Sequence, residues 1–146
     1  MIGLIQRVAH ASVTVDDQGH GQIGEGLLLF LGVEMDDTLA KADRLLEKVL
    51  GYRIFPDAQG RMNRSLVDTG GGLLIVSQFT LIADTSRGLR PGFSRGAPPD
   101  LGRTLYEYFV DEARKRHQPV GSGVYGADMR VTLCNAGPAT FWLTVR

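Results

Sequence analysis

The stretch that most restricts how this chain folds is Leu73-Leu74-Ile75-Val76-Ser77-Gln78-Phe79-Thr80-Leu81-Ile82. At the two-residue period of a strand, Leu73, Ile75, Ser77, Phe79 and Leu81 share one face, and Leu74, Val76, Gln78, Thr80 and Ile82 share the other. Both faces are apolar at each end, so the segment reads as a central strand needing cover on both sides. Its middle is polar. A buried hydroxyl or carboxamide without a partner costs about 1–3 kcal/mol. Ser77, Gln78 and Thr80 therefore either close a structural hydrogen-bond network or line a cavity.

The rest of the chain supplies the cover. Ile2 to Val8 and Ala11 to Val15 read as strand, and Asp16-Asp17-Gln18-Gly19 as a turn leading back into a short strand at Gln22-Ile23-Gly24. Gly26 to Val33 is a further buried strand, short and bounded by glycine. Asp36-Asp37-Thr38 offers N-caps for a helix whose apolar face is Leu39, Ala42, Leu46, Val49 and Leu50, and Gly51 ends it. Tyr52 to Phe55 reads as a short strand closed by the turn Pro56 to Gly60, and Arg61 to Asp68 as a loop or edge segment. A second helix runs from Pro98-Pro99-Asp100 to about His117, with Leu101, Leu105, Phe109 and Ala113 as its core stripe and Tyr108 beside it. Pro119 to Gly123 reads as a loop. Two last strands, Ala127 to Cys134 and Thr140 to Val145, are joined by Asn135-Ala136-Gly137-Pro138-Ala139. Strands in close succession favour antiparallel pairing. The expectation is an α+β fold: one domain over residues 1–146, a predominantly antiparallel, barrel-like sheet and two helices.

Between the central strand and the second helix lies an irregular region, Asp84 to Pro99, with Arg87, Arg90, Arg95 and one aromatic residue, Phe93. A loop of this length inside a compact domain is either functional or simply solvated. Its arginines and its position make it a candidate phosphate-contacting rim.

Charge narrows the choice of partner. Sixteen basic and sixteen acidic residues balance, so no broad field exists to hold a long polyanion; a ligand with few phosphates fits better. The opening segment has no long apolar core and no run is long enough to span a bilayer, which points to a cytoplasmic protein without a membrane partner. The single cysteine, Cys134, excludes an internal disulfide, suits a reducing compartment and reads as a small buried hydrophobe. Familiar catalytic constellations are absent. His10, His20 and His117 make no ligand spacing with Cys134, no serine sits in a nucleophile elbow, and the glycine clusters complete no nucleotide fingerprint. No metal and no cofactor are expected.

What stands out is a pair of motifs, Ser77-Gln78-Phe79-Thr80-Leu81 and Asn135-Ala136-Gly137-Pro138-Ala139-Thr140. Together they resemble the two signatures of the D-aminoacyl-tRNA deacylases, of the forms SQFTL and NxGPxT. The likeness extends through Ile5-Gln6-Arg7-Val8, Leu50 to Phe55, Arg90-Pro91-Gly92-Phe93-Ser94 and Ala127-Asp128-Met129. The resemblance implies a homodimer that hydrolyses the ester between a D-amino acid and the terminal adenosine of tRNA, and that also accepts glycyl-tRNA. It implies a catalytic strand of Ser77, Gln78, Phe79 and Thr80. It further implies that Gly137-Pro138 is a cis peptide reaching into the partner's site, where its carbonyls hold the α-ammonium group and its backbone rejects an L side chain. Arg7, Asn135 and Thr140 would support that loop. Tyr125, where the family commonly has Phe, and Met129 would hold the adenosine.

Ester cleavage needs oxyanion donors and water. The backbone N–H groups around Gln78 and Phe79 are candidates for the first. Thr80 has no base placed near it in sequence, so it reads as a positioning group, with the substrate's ribose 2′-hydroxyl helping to orient water. Two other readings are a trans-proline relative that clears L-alanine from tRNA, disfavoured by Phe79, and a non-catalytic nucleic-acid-binding module, disfavoured by the balanced charge.

Overall fold

The computed structural model describes residues 1–146. Its strands are β1 (Ile2–Val15), β2 (Gln18–Ile23), β3 (Gly26–Gly32), β4 (Phe55–Pro56), β5 (Met62–Arg64), β6 (Gly72–Ser77), β7 (Val120–Ser122) and β8 (Arg130–Thr144). The helices are α1 (Leu39–Gly51), α2 (Leu66–Thr69) and α3 (Pro99–Arg116), with a 3-10 turn at Phe79–Ile82. Six strands form a single sheet in the order β2-β1-β3-β6-β7, with β8 on the other edge of β1, while β4 and β5 pair separately. β2 and β3 bond to successive parts of β1. At Gly21, a side chain would meet the backbone of Ser122, so β2 and β7 approach each other and the sheet almost closes. The result is a barrel-like α+β domain.

The sheet is mixed, because β6 lies parallel to both β3 and β7. Helices cause this. α1 lies on the connection from β3 to β6, and α3 on the connection from β6 to β7; a crossover of that length returns the chain in the same direction. Succession of strands indicates antiparallel order only where no helix intervenes.

Side-chain alternation divides the core. Leu27, Leu29, Leu31, Leu73 and Ile75 face a layer formed by Leu45, Leu46 and Val49 of α1 with Leu105, Phe109 and Ala113 of α3. Leu28, Leu74 and Val76 face the opposite way, against Val8, Ala11, Val13 and Ile23 inside the curl of the sheet. β6 is thus covered on both faces, as its sequence requires.

Several boundaries differ from expectation, each for a local reason. The central strand stops at Ser77: Gln78 N–H still donates to Leu31 O at 2.8 Å, but β3 ends at Gly32 and offers no further partner. The chain then coils over that end, and Ile82 fills the space left by the missing side chain of Gly32. The two segments of Ile2–Val15 are one strand with irregular register opposite β8, and Arg130–Thr144 is one strand running through the Asn135–Ala139 connection. Residues Arg61 to Asp68 contain β5 and start α2, whose Ser65 and Asp68 complete a reciprocal capping box. The segment Pro119 to Gly123 contains β7. Tyr52 to Phe55 is extended strand only at its end, where β4 begins. Leu39, assigned to the apolar face of α1, is exposed; Leu45 takes its place in the core, and Thr38 is the N-cap. Cys134 is exposed on β8, opposite His10, and is no core residue. No helix is long and apolar enough to cross a membrane.

Candidate active site

A cavity of about 530 Å³ opens where β6 ends. Val76, Ser77, Gln78 and Phe79 form one wall, Ala97 and Pro99 at the start of α3 a second, and Tyr125 to Met129 with Val131 a third. The lining is mostly apolar with a few polar groups, the usual character of a small-ligand pocket. Of the residues singled out by the motifs and the family resemblance, Ser77, Gln78, Phe79, Tyr125 and Met129 meet here.

The third wall is held by α3. Tyr106 hydroxyl lies 2.9 Å from Ile75 O and 3.2 Å from Gly123 O, tying β6 to the segment before Tyr125. Burial pushes the Tyr106 phenol up to about 12, so it remains a protonated donor at neutral pH. The Tyr125 ring packs against that of Tyr106 at 5.8 Å, and Arg103 guanidinium lies 5.1 Å from its centroid. Gly102 makes the fit possible. A side chain there would collide with the Tyr125 hydroxyl, so the glycine is a notch that receives the phenol. A glycine inside an otherwise apolar helical stripe was the available signal for this contact. Ala97, Pro99 and Gly126 also line the pocket and carried no functional signal of their own, whereas Ala127 and Asp128 lie in the segment Ala127-Asp128-Met129 through which the family likeness extends.

The first wall has a specific hydrogen-bond economy. Gln78 N–H is engaged by Leu31 O, so it is not free to stabilise an oxyanion, contrary to expectation. Phe79 and Thr80 open the 3-10 turn, where the first N–H groups have no acceptor within the turn. The Gln78 carboxamide donates to Thr80 Oγ1, so the hydroxyl has an acceptor role filled and keeps its own proton to give. Thr80 is exposed and lies beside the cavity rather than in its lining. None of His10, His20 and His117 lines it either; His117 Nε2 is 2.6 Å from Gly71 O, and the acidic residue at the mouth is Asp128.

Gly137 and Pro138 do not line this cavity; they stand exposed on β8, and the peptide bond between them is cis. A compact network supports them. Arg7 donates from Nε to Ala136 O at 3.0 Å and from a terminal nitrogen to Ile54 O at 2.6 Å. Asn135 Nδ2 donates to Arg7 O at 2.9 Å and Ala139 O at 3.4 Å, and Gln6 Nε2 donates to Thr140 Oγ1 at 3.1 Å. A single chain thus carries two groups of motif residues at separate places: a pocket and a braced, exposed loop.

Comparison with known proteins bears on both. The family model described as D-Tyr-tRNA(Tyr) deacylase matches residues 4–144. Proteins named D-aminoacyl-tRNA deacylase from Enterobacter sp. (strain 638) and Klebsiella pneumoniae (strain 342) are each 59% identical over 145 residues, covering 99% of this chain and 100% of theirs. One of the same name from Escherichia coli O1:K1 / APEC is 57% identical with the same coverage. Among solved structures, the c-Myc DNA Unwinding Element Binding Protein superposes with a TM-score of 0.95 at 34% identity, covering 100% of this chain and 99% of that one. A probable eukaryotic D-amino acid tRNA deacylase shares the fold, with a TM-score of 0.85 at 16% identity and 97% of each chain covered. With its family model matched almost from end to end, the chain belongs to the D-Tyr-tRNA(Tyr) deacylase family.

Proposed function

We propose that this protein is a cytoplasmic hydrolase that cleaves the ester joining a D-amino acid to the terminal adenosine of tRNA. The observation that carries this reading is the pocket itself, in which Ser77, Gln78 and Phe79 face Tyr125 and Met129 across an apolar space of about 530 Å³. Adenine fits against Tyr125 and Met129, which leaves the ester at the Ser77–Phe79 wall. As the carbonyl becomes tetrahedral, the N–H groups of Phe79 and Thr80 at the start of the 3-10 turn receive its negative charge; one such donor is typically worth about 2.7–4 kcal/mol. Thr80, held by the Gln78 carboxamide, positions the attacking water together with the substrate's 2′-hydroxyl. No histidine lines the pocket and its one carboxylate, Asp128, stands at the mouth, which favours a substrate that supplies part of its own catalytic apparatus.

Chirality is read by a second copy of the chain. The Gly137-Pro138 loop enters the partner's pocket, its carbonyls accept from the α-ammonium group, and its backbone fills the space an L side chain needs. Rejection by backbone is indifferent to side-chain identity, so many D-amino acids are accepted. Glycine is accepted too, including glycine mischarged on alanine tRNA, because it has nothing to reject. The exposure of the loop and its bracing by Arg7 and Asn135 support this role.

The test is ester loss from D-tyrosyl-, L-tyrosyl- and L-alanyl-tRNA with purified protein. Cleavage of the D-tyrosyl ester alone is expected. Cleavage of only the alanyl ester, or of none, would refute the reading. Thr80→Val should retain measurable activity, and tRNA ending in 2′-deoxyadenosine should be a poor substrate; the reverse pair of results makes Thr80 the nucleophile.

A further inference from the structure

The surface differs on the two sides of the pocket. Beyond Asp128, the surface continues into a hollow of about 380 Å³ that includes Asp16 and Asp17, with Arg130 as its one basic residue. Beyond Phe79, it continues onto Phe93, whose ring centroid is 5.2 Å away, and both rings are largely open, at 66% and 41% exposure. Phe93 ends a protruding loop with a rigid base. Asp84 and Gly92 exchange both backbone hydrogen bonds, at 2.7 and 3.0 Å, and Asp84 carboxylate accepts from Ser86 N–H at 2.9 Å. All seven residues from Thr85 to Pro91 are exposed, and Leu89 is fully so. Within the region, Arg95 is engaged with Glu34 at 3.6 Å, whereas Arg87 and Arg90 make none of the chain's ion pairs.

We propose that the Thr85–Pro91 loop is the phosphate-binding finger of the site, so that RNA 5′ to the terminal adenosine leaves the pocket over the Phe79–Phe93 pair with its phosphates against Arg87 and Arg90. The inference rests on the deacylase reading and adds a direction to it. A single strand emerging past Asp128, Asp16 and Asp17 meets like charge. The same strand emerging over Phe79 meets two open aromatic faces and two unpaired guanidinium groups, the combination that holds single-stranded nucleic acid without reading its sequence. A chain with balanced charge needs such a local device, because its overall field attracts no RNA.

The experiment compares wild type with Arg87→Ala/Arg90→Ala on two substrates, full D-tyrosyl-tRNA and D-tyrosyl-adenosine, which keeps the ester and base but has no phosphate. For tRNA, KM should rise roughly tenfold with kcat little changed, and the slope of log kcat/KM against log salt should become shallower by about 1.4, or 0.7 per phosphate contact on a single strand. Cleavage of the adenosine ester should be unchanged, and Arg87→Lys/Arg90→Lys should retain the wild-type salt slope. Unchanged tRNA kinetics, or equal losses on both esters, would overturn the proposal. Salt-dependent binding of uncharged tRNA makes the same comparison without chemistry. If wild type cleaves neither ester yet loses RNA affinity with the two arginines, the finger stands and the deacylase reading falls; equal affinities sink the finger whatever the esters do.

Discussion

At the scale of single residues, Gly102 tests whether the Tyr125 wall matters. In an exposed helix interior, Gly→Ala stabilises by about 1 kcal/mol. Here the added methyl meets the Tyr125 hydroxyl, so the ring must move toward the pocket. Gly102→Ala should therefore lower kcat/KM while changing thermal stability little, and adding Tyr125→Phe should recover much of the activity by removing the colliding oxygen. Steady-state kinetics and melting curves on the two variants decide it. If Gly102→Ala is as active as wild type, the notch has no functional role. Ser77 and Gln78 were legible from the sequence because polar side chains in an apolar strand require explanation, whereas Phe79, Tyr125 and Met129 were reached only through the resemblance to the deacylase motifs. Gly102 was not, since its contribution is an absence of atoms. Nor was the loss of Gln78 N–H to Leu31 O, which depends on the register of β6 against β3.

Elements were legible where periodicity was strong. The two long helices and β3 appear close to their expected ends, and β6 starts where expected but stops at Ser77, whereas β4, β5, β7 and α2 are two to four residues long and carry almost no periodic signal. The parallel pairing of β3 and β6 has a sharp requirement that sequence alone did not reveal. A Cβ on Gly26 would lie 1.9 Å from Gly72 O, and the obstacle is backbone. Gly26→Ala should destabilise the fold by about 3 kcal/mol or more, near or above the usual upper range for overpacking; an unchanged melting temperature would show that the strands can separate locally. Turns give a second prediction at this scale. Backbone N–H groups of Arg61 and Gln59 hold Asp57 below the ordinary carboxylate range, Ser65 backbone does so for Asp68, and Ser86 for Asp84. A lowered folded value means that these charged forms favour the native turns above the unfolded pKa, near 4, and that this contribution disappears as pH falls through the lowered values. Protection of the Gln59, Arg61, Ser65 and Ser86 amides, taken as the intrinsic exchange rate over the observed rate, should fall between pH 4 and 2. Unchanged protection would mean the bonds contribute nothing to turn stability.

For the whole molecule, the decisive question is whether one chain holds a complete site. The pocket lies at the end of β6, and Gly137-Pro138 stands elsewhere on β8, so the proposed reaction needs a symmetric pair in which each chain lends its loop to the other. This arrangement has a consequence that no single-chain site shares. Ala127→Phe places a ring in the pocket but leaves the loop intact, whereas Gly137→Val spoils the loop, because its Cβ lands 2.7 Å from Asn135 Oδ1, and leaves the pocket intact. Each variant alone should be nearly inactive. Mixed and allowed to exchange subunits, half of the dimers combine one chain of each kind, and in each of these one site joins an intact pocket to an intact loop. Activity should then return to about a quarter of the wild-type value per site. Separately prepared homodimers mixed without exchange should stay inactive, which controls for residual activity. If exchange restores nothing although mixed dimers form, the Gly137-Pro138 loop does not act across the interface, and selection against L-amino acids must be built from the pocket wall of one chain.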